Sequence, residues 1–181
     1  MNYGRYQSAM VTFNGQPVIV GGFGSDSAKT SETFENGSWL KIQNIPIQGT
    51  RFEDHSALVV SGKIYTFGER TGLSGADFYE KYSYVFDCYE WKRENGMQKP
   101  KYYHRSIMIG GDIYHVGGLT VEGDYGLVER WQVANGGFNK EVFDFQFTST
   151  SLDYPEVFAV DQNFCNFKMC PNGKIDNFDL F

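Results

Sequence analysis

The stretches HSALVVSGKIYTFG (residues 55–68) and HRSIMIGGDIYHVG (residues 104–117) align without a gap at an offset of 49 residues. A third stretch, SAMVTFNGQPVIVG (residues 8–21), precedes the first of these by 47 residues. All three carry a glycine at the same central position and end on a second glycine six residues later. A repeat of both residue type and spacing indicates one structural unit that is used several times along the chain.

Each copy has the pattern of a β-hairpin. Its centre is a two-residue turn, namely Asn14-Gly15, Ser61-Gly62 or Gly110-Gly111. A type I′ turn requires positive φ at both of these positions, which Asn and Gly adopt most readily. The flanking residues are mainly apolar, with many β-branched and aromatic side chains. Nearly continuous apolar runs of this kind are typical of strands that are covered on both faces.

Two further strands are predicted after each hairpin, because aromatic and β-branched runs alternate there with turns. The predicted segments are Lys29–Glu35, Ser38–Ile42, Tyr82–Tyr89, a segment from Trp91, Leu127–Val133 and Phe138–Phe147. A degraded fourth copy, EVFAVDQNFCNF, occupies residues 156–167. Four strands in each repeat of 47 to 49 residues, without a helical periodicity, predict an all-β protein built from propeller blades.

The repeats resemble those of the kelch family of β-propellers over roughly residues 7–168. The residues that carry the resemblance are the pairs Gly21-Gly22, Gly68-Glu69 and Gly117-Gly118, the tryptophans Trp39 and Trp91, Tyr65 and Tyr114 on the second strand, and Arg51 and His55 before the first strand. The third copy departs from the family pattern, because Phe138 stands where a Trp is expected and Trp131 falls on the third strand.

The resemblance implies structural roles for its most frequent residues. Gly21, Gly22, Gly68, Gly117 and Gly118 are expected where the second strand leaves its blade in a backbone conformation open mainly to glycine. Trp39 and Trp91 are expected to fill the wedge between adjacent blades.

The expected fold is a partial kelch-type β-propeller, an open arc of about three four-stranded antiparallel blades with an incomplete fourth. The blades are expected at approximately 7–48, 54–99 and 104–149, the partial blade at 155–168 and a C-terminal tail at 169–181. Because propellers typically close with 4–8 blades, an open arc would expose apolar blade faces. Self-association that completes the ring is therefore expected.

The charge and composition exclude several classes of protein. A net charge of −6 argues against a nucleic-acid binder, and no apolar run is long enough for a membrane span. The beginning of the sequence lacks the apolar core of a signal peptide, so a cytoplasmic protein is expected. An extracellular protein is the alternative, if Cys165 and Cys170 form a disulfide and Asn36, in an Asn-Gly-Ser triplet, is glycosylated.

The motifs that would indicate catalysis are weak. The Gly-rich run at 109–120 lacks the Lys-Ser/Thr of a phosphate-binding loop. His55 and His104 occupy equivalent repeat positions, where a histidine hydrogen-bonded at a strand start is expected, and His115 matches Ile19 and Thr66. Neither a metal, nor a cofactor, nor a catalytic residue is predicted, and the protein is not expected to be an enzyme.

Binding of another protein or peptide through loops on one face is the predicted function. The family resemblance places partner-binding loops before the first strand and after the second strand of each blade. The residues in these loops of the types that dominate binding hot spots are Arg51, Arg70, Tyr102, Tyr103 and Arg105. The family resemblance implies an adaptor or substrate-recruitment scaffold. The alternative it leaves open is a sugar-acting enzyme that uses Arg51, Arg105, Glu53 and Glu80 in the propeller channel.

Overall fold

The computed structural model describes residues 1–24, 28–47, 49, 51–73, 76–79, 82–120, 122–123, 127–134, 137–144 and 155. Within these residues the regular secondary structure consists of β-strands, without a helix. The strands form three four-stranded antiparallel sheets and two two-stranded ones. The all-β fold that the repeat predicts is therefore confirmed.

The strands of each four-stranded sheet follow one another in chain order across the sheet. Sheet 1 consists of β1 (Ala9–Phe13), β2 (Gln16–Val20), β3 (Ser31–Glu35) and β4 (Ser38–Lys41). Sheet 2 consists of β5 (Ser56–Val60), β6 (Lys63–Phe67), β9 (Tyr82–Phe86) and β10 (Trp91–Asn95), with β7 (Arg70–Leu73) and β8 (Ala76–Tyr79) between β6 and β9 in the chain. Sheet 3 consists of β12 (Arg105–Ile109), β13 (Asp112–Val116), β15 (Leu127–Ala134) and β16 (Gly137–Asp144). The pair β11 (Lys101–Tyr102) and β14 (Leu119–Thr120) completes the strands of the described residues.

The three predicted hairpins share one register. Ala9 pairs with Val20, Ser56 with Phe67 and Arg105 with Val116, at repeat-equivalent positions. The turn residues have the positive φ of a type I′ turn, for example 50° and 77° at Asn14 and Gly15. The sequence repeat is therefore a structural repeat, and in the hairpins and the segments before them residues 47 and then 49 apart are equivalent from sheet to sheet.

The segments between the sheets are more regular than the sequence predicted. The stretch from Glu69 to Tyr79, which belongs to the expected loop after the second strand, contains the antiparallel ribbon β7–β8. The loop before β12 contains the short strand β11. The third strand of sheet 2 ends at Phe86 rather than Tyr89, and the exposed Cys88 follows in a turn with φ of 79°. Residues 156–167 and the tail 169–181 lie outside the described residues.

The cores lie between successive sheets. The first core joins residues of sheet 1, such as Phe13 and Val20, to Ile64 and Phe86 of sheet 2. The second core joins Val60 and Phe67 of sheet 2 to Ile113 and Trp131 of sheet 3. The first strands also lie side by side, since β5 contacts both β1 and β12. A sheet therefore has both faces buried only if another sheet packs on each of them.

The tryptophan positions agree with the prediction in sheet 2 and differ in sheet 3. Trp91 is buried between sheets 1 and 2, and its indole Nε1 donates to Ser31 Oγ across the junction at 3.1 Å. The structural equivalent of Trp91 in sheet 3 is Lys140 and not Phe138. Phe86 and Trp131 occupy equivalent positions of the third strand, and Trp91 pairs with Phe86 as Lys140 pairs with Trp131. The Lys140 ammonium lies 3.8 Å from the centre of the Trp131 ring and donates to Asn95 O of sheet 2 at 3.1 Å.

The segments that precede sheets 1 and 3 are held by buried charges. Arg5 donates to Glu32 Oε2 at 2.7 Å, with neither side chain exposed. The equivalent of Arg5 before sheet 3 is Lys101, whose ammonium donates to His115 O at 2.9 Å and to Leu127 O at 2.7 Å. Burial lowers the pKa of Lys101 to about 8, and the charge of Glu129, the equivalent of Glu32, opposes this. In sheet 2 the equivalent positions hold Phe52, before the sheet, and Tyr84 of β9, whose rings pack edge to face at 5.6 Å.

The carboxylates bind the leading segments in the same way at both sites. Glu32 Oε1 accepts from the backbone N–H of Asn2, and Glu129 Oε1 accepts from that of Gln98, each at 2.8 Å. Asn2 and Gln98 are themselves equivalent, and their side-chain amides donate to backbone carbonyls of the outer strands β4 and β16. Buried carboxylates thus secure the segments from which the loops at this end of the sheets arise.

The glycines at the end of β2 and β6 are required by close packing. Gly21 has φ of 60°, and a Cβ there would lie 2.7 Å from the carbonyl oxygen of Phe52. Gly68 has φ of 61°, and a Cβ there would lie 2.6 Å from Cε1 of His104. Each of these glycines therefore makes room for the segment that leads into the next sheet, as the structural role expected for them requires.

Candidate functional site

The loop face is the end of the molecule formed by the segments before β1, β5 and β12 and after β2, β6 and β13. These segments pair with one another at equivalent positions, as bridges Tyr6–Phe23 and Glu53–Arg70 and as the pair Tyr102–Leu119. The residue after Tyr6, Glu53 or Tyr102 has a positive φ in every case, 55° at Gln7, 60° at Asp54 and 62° at Tyr103. The loops are therefore built on one template, with different side chains on each copy.

The structure brings Arg51 and Arg70 together on the loop face. Arg51 Nη1 lies 3.6 Å from Glu53 Oε1, and Arg70 Nη1 lies 3.8 Å from the same oxygen. Arg70 Nη1 also lies 3.7 Å from Asp54 Oδ2. The arginine side chains are 36% and 22% exposed, whereas those of Glu53 and Asp54 are 3% and 0% exposed. The carboxylates thus lie underneath and two guanidinium groups lie at the surface.

Aromatic rings extend this charged surface. The Arg51 guanidinium lies 5.0 Å from the centre of the Phe23 ring, and that ring lies 5.0 Å from the ring of Tyr6. Tyr6 is 57% exposed. Gly72 of β7 packs against the Arg51 side chain, since a Cβ there would lie 3.1 Å from Cδ of Arg51. Arg51 is therefore held between an aromatic ring and the β7–β8 ribbon.

Tyr102, Tyr103 and Arg105 lie on the same face with different exposures. Tyr103 is partly buried, and its backbone N–H donates to Asp54 O at 3.1 Å, which connects it to the Arg70 cluster. Arg105 is exposed, and its Nη1 donates to His104 O at 3.3 Å. Tyr102 is only 9% exposed and packs edge to face on Tyr103 with ring centres 4.5 Å apart. Most of the Tyr102 ring therefore supports the loop and is not open to a partner.

The sequence did not indicate Asp54, Tyr6 or Phe23 as residues of this site. Asp54 accepts a hydrogen bond from Gln7 Nε2 at 2.7 Å, so it connects the loops of sheets 1 and 2. An extension of the repeat alignment by one residue upstream would have found this position, because Gln7, Asp54 and Tyr103 are equivalent. It would not have found the link to Arg70, because that contact depends on how successive sheets pack.

The three histidines lie beneath the loop face and are buried. Burial lowers the pKa of His55 to about 3, with a smaller lowering by the charge of Arg105. Burial also lowers the pKa of His104 and His115 well below the usual value, with further lowering by the charge of Lys101. All three imidazoles are therefore neutral near pH 7.

Packing holds His55 and His104 in place. The His55 ring lies 4.5 Å from the ring of Phe52, and the His104 ring lies 5.8 Å from that of His115. His115 Nδ1 shares a hydrogen bond of 2.7 Å with Ser106 Oγ. The expectation of a hydrogen-bonded imidazole at a strand start is wrong for both His55 and His104, because the ring nitrogens of both are buried without a hydrogen-bond partner among the described residues.

The described residues lack the features of two other kinds of site. No group of three or more His, Cys, Asp and Glu side chains is placed there to hold a metal ion. No helix long and apolar enough to cross a membrane occurs in that same part of the chain. Cys165 and Cys170, whose disulfide belongs to the extracellular alternative, fall outside it, and Asn36 is exposed in the β3–β4 turn.

The fold and this face define an all-β protein of successive four-stranded antiparallel sheets with a loop surface at one end. No protein-family model matches the sequence. No curated protein matches it either. A solved structure with a similar fold is that of YjhT, at 15% sequence identity and a TM-score of 0.64. The match covers 82% of this chain and 54% of that one, so the described chain spans about half the length of the protein it resembles.

Proposed function

We propose that the three four-stranded sheets are blades of a partial kelch-type β-propeller, and that the protein is an interaction module that binds another protein or peptide through the loop face. The equivalent registers of the three hairpins and the packing of sheet on sheet support the first part. The similarity to a chain of which the match covers only 54% supports an arc that is part of a larger ring.

The observation that carries the binding proposal is the arrangement of Arg51 and Arg70. They come from two different loops, lie above the same buried carboxylate and keep part of their surface exposed. Arginine and tyrosine dominate binding hot spots because they combine apolar area with directed hydrogen bonds. Loops on a rigid scaffold are the usual place for such residues. Tyr103 and Arg105, on the loop of the next sheet, extend the surface.

The experiment compares two triple variants of equal charge change as baits in a lysate of the source organism. One variant carries Arg51→Ala, Arg70→Ala and Arg105→Ala on the loop face. The other carries Lys63→Ala, Lys92→Ala and Arg93→Ala, with Lys63 beside the β5–β6 turn and the other two on the outer strand β10. We expect the same partner to be captured by the wild type and the control variant. Its affinity for the loop-face variant should fall at least about tenfold, corresponding to about 1.4 kcal/mol.

The result that would contradict the proposal is equal capture by both variants. Circular dichroism spectra of both must match the wild type, so that a loss of capture is not a loss of folding. A third variant, Tyr103→Ala, tests whether the surface extends to the loop before sheet 3. We expect it to weaken capture less than the arginine variant, because Tyr103 is partly buried against Tyr102.

A further inference from the structure

His104 locks the segment before sheet 3 between two neighbouring segments. Its side chain is fully buried and packs on the glycines that follow β6 and β13. A Cβ on Gly68 would lie 2.6 Å from Cε1 of His104, and a Cβ on Gly118 would lie 2.8 Å from the Cβ of His104. The close packing of these three segments therefore depends on the imidazole lying inside the protein.

The buried imidazole of His104 has no hydrogen-bond partner among the described residues. Both of its ring nitrogens lack one there, and the ring packs edge to face on the ring of His115 at 5.8 Å. A neutral imidazole in such a place loses hydrogen bonds to water but carries no charge. An imidazolium would be a buried charge whose two N–H groups have no acceptor, which is far more costly. The docked segment therefore accommodates His104 in its neutral form.

The groups around His104 oppose its protonation as well. Burial is the largest cause that lowers the pKa of His104, and the remaining causes are groups that are positive when protonated. In order of size these groups are His115, Lys101, Arg105 and His55. Burial and charge thus act on the imidazole in the same direction, and both effects are relieved when the ring reaches water.

The carboxylates on the surrounding segments are buried too. Asp54 and Glu53 lie 3.7 and 3.8 Å from Nη1 of Arg70. Glu129 accepts from two backbone N–H groups of the segment before sheet 3, and the fourth buried carboxylate is that of Glu69, after β6. Glu53, Asp54 and Glu129 would lose the partners they have here if they turned to an imidazolium at His104.

Two backbone contacts of this segment depend on its docked position. Tyr102 pairs with Leu119 between β11 and β14, and the N–H of Tyr103 donates to Asp54 O at 3.1 Å. Tyr103 directly precedes His104 and has φ of 62°, a conformation that side chains of its kind seldom adopt. Because the next side chain is buried, the backbone is held in this conformation, and exposure of His104 would free both contacts.

We propose that mild acid opens the loop face, because protonation of His104 releases residues 102–105 from the segments on which they pack. Tyr103 and Arg105 lie on this segment, so the surface that is assembled at neutral pH loses them in acid. This consequence for binding rests on the proposed function, whereas the release itself does not. An imidazole in water has a pKa of about 6.5, so the ratio of released to docked segment should rise about eightfold from pH 7 to pH 5.5.

The experiment measures hydrogen exchange of the Tyr103 amide by NMR, on the free 181-residue chain at pH 7 and at pH 5.5. The protection factor, which corrects for the pH dependence of the intrinsic exchange rate, should fall about eightfold. A local release exposes little surface, so this protection factor should not change in low concentrations of urea. The reference is the Ile45 amide of the first core, which donates to Lys29 O at 2.8 Å. Its protection factor should fall with urea, because core amides exchange through global unfolding.

Two substitutions of His104 remove the titrating group. His104→Ser introduces the residue that sheet 1 carries at the equivalent position, Ser8, and His104→Phe keeps a ring in the same space. In both variants the Tyr103 protection factor should be equal at the two pH values, and His104→Phe keeps the test valid if His104→Ser weakens docking. His115→Ile is the matched control, since it replaces a neighbouring histidine by the residue that sheet 1 carries there, Ile19. It should keep the fall of about eightfold, because His115 stays on β13 when the segment is released.

Four outcomes would overturn the acid release. They are a Tyr103 protection factor that is the same at both pH values in the wild type, one that falls with urea as that of Ile45 does, a fall with pH that persists in both His104 variants, and a fall that is lost in His115→Ile. No partner is present in these measurements, so they test the release separately from binding. If the release is observed while the arginine variant of the loop face captures the same partner as the wild type, the proposed function fails and the acid release stands.

Discussion

The two junctions between sheets occupy equivalent positions and are built from different chemistry. Between sheets 1 and 2 the decisive pairs are apolar or neutral, with Phe52 on Tyr84 and the Trp91 indole bonded to Ser31. Between sheets 2 and 3 the same positions hold Lys101 with Glu129, and Lys140 in place of the tryptophan. The packing geometry is thus set by the strands, and it accepts either aromatic or charged side chains as long as each charge has buried partners.

The two junctions should also differ in their stability at acidic pH. The second junction contains two of the buried histidines, His104 and His115, as well as the buried Lys101. The first contains His55 alone. A buried imidazole that gains a proton becomes a buried charge, which burial disfavours. Because the second junction holds two of the three buried histidines, acid should open it first.

The largest expected effect is therefore that of pH. An imidazole whose pKa is lower in the folded chain than its ordinary 6.5 binds fewer protons when folded, so stability is full above pH 6.5 and falls as the pH drops below it. Each histidine contributes about 1.4 kcal/mol for each pH unit in that window. We expect the free energy of unfolding in urea to fall steeply between pH 6.5 and 5, and hydrogen exchange at pH 5 to expose β12 and β13 before β1 and β2.

The control for this prediction is His55→Ser, which introduces the residue that sheet 1 carries at the equivalent position, Ser8. It should reduce the slope of stability against pH by about the 1.4 kcal/mol per unit of a single histidine. A slope that is unchanged in this variant would mean that the histidines do not govern the acid response.

The next effect concerns the buried ion pair before sheet 1. Glu32→Ala leaves the Arg5 guanidinium without its carboxylate, and the unfolding free energy should fall by about 3–5 kcal/mol. The double variant Arg5→Phe with Glu32→Tyr installs the pair that sheet 2 uses in Phe52 and Tyr84. It should lose less stability than the single variant, because it leaves no buried charge. Chemical denaturation at pH 7 measures both, and a double variant weaker than Glu32→Ala would show that the two sheets are not interchangeable here.

The smallest expected effect is a difference in stability between alanine variants of two serines at equivalent positions. Ser31 Oγ accepts from the Trp91 indole and donates to Gln43 O, so Ser31→Ala should lower the unfolding free energy by about 1–3 kcal/mol. Ser83 is the equivalent residue of sheet 2, and its hydroxyl is buried without a hydrogen-bond partner in the described structure. Ser83→Ala should therefore be neutral or slightly stabilising. Equal losses in the two variants, measured by urea denaturation, would remove this distinction between the junctions.

The sequence predicted the hairpins well because their signals are local. Asn14-Gly15 specifies its turn through the φ values of two residues, and the apolar runs on each side specify strands. The glycines at 21 and 68 were also predictable, since the repeat aligned them. Trp131 was correctly placed on the third strand, but Phe138 was mistaken for the wedge position. The register of β15 with β16, which depends on the turn between them, gives that position to Lys140.

The sequence predicted binding residues from residue type and loop position, and the structure shows how exposed each of them is. Arg51 and Arg70 were named from their residue type and their loops, and the structure places them over the same carboxylate. Tyr102 was named on the same grounds, yet it is buried under its neighbour. Residue type indicates what a side chain can do when it is exposed. Whether it is exposed depends on segments that are distant in the sequence.

The sequence by itself determined the unit of this protein, a hairpin with two further strands repeated three times, because turn and strand preferences act over a few residues. Only the tertiary structure decided which residues meet between the units, such as Trp91 with Ser31 and Lys101 with the carbonyls of His115 and Leu127. It also decided which apolar side chains stay exposed, such as Met10 and Ile109. Both follow from the stacking of one sheet on the next, which no single repeat contains.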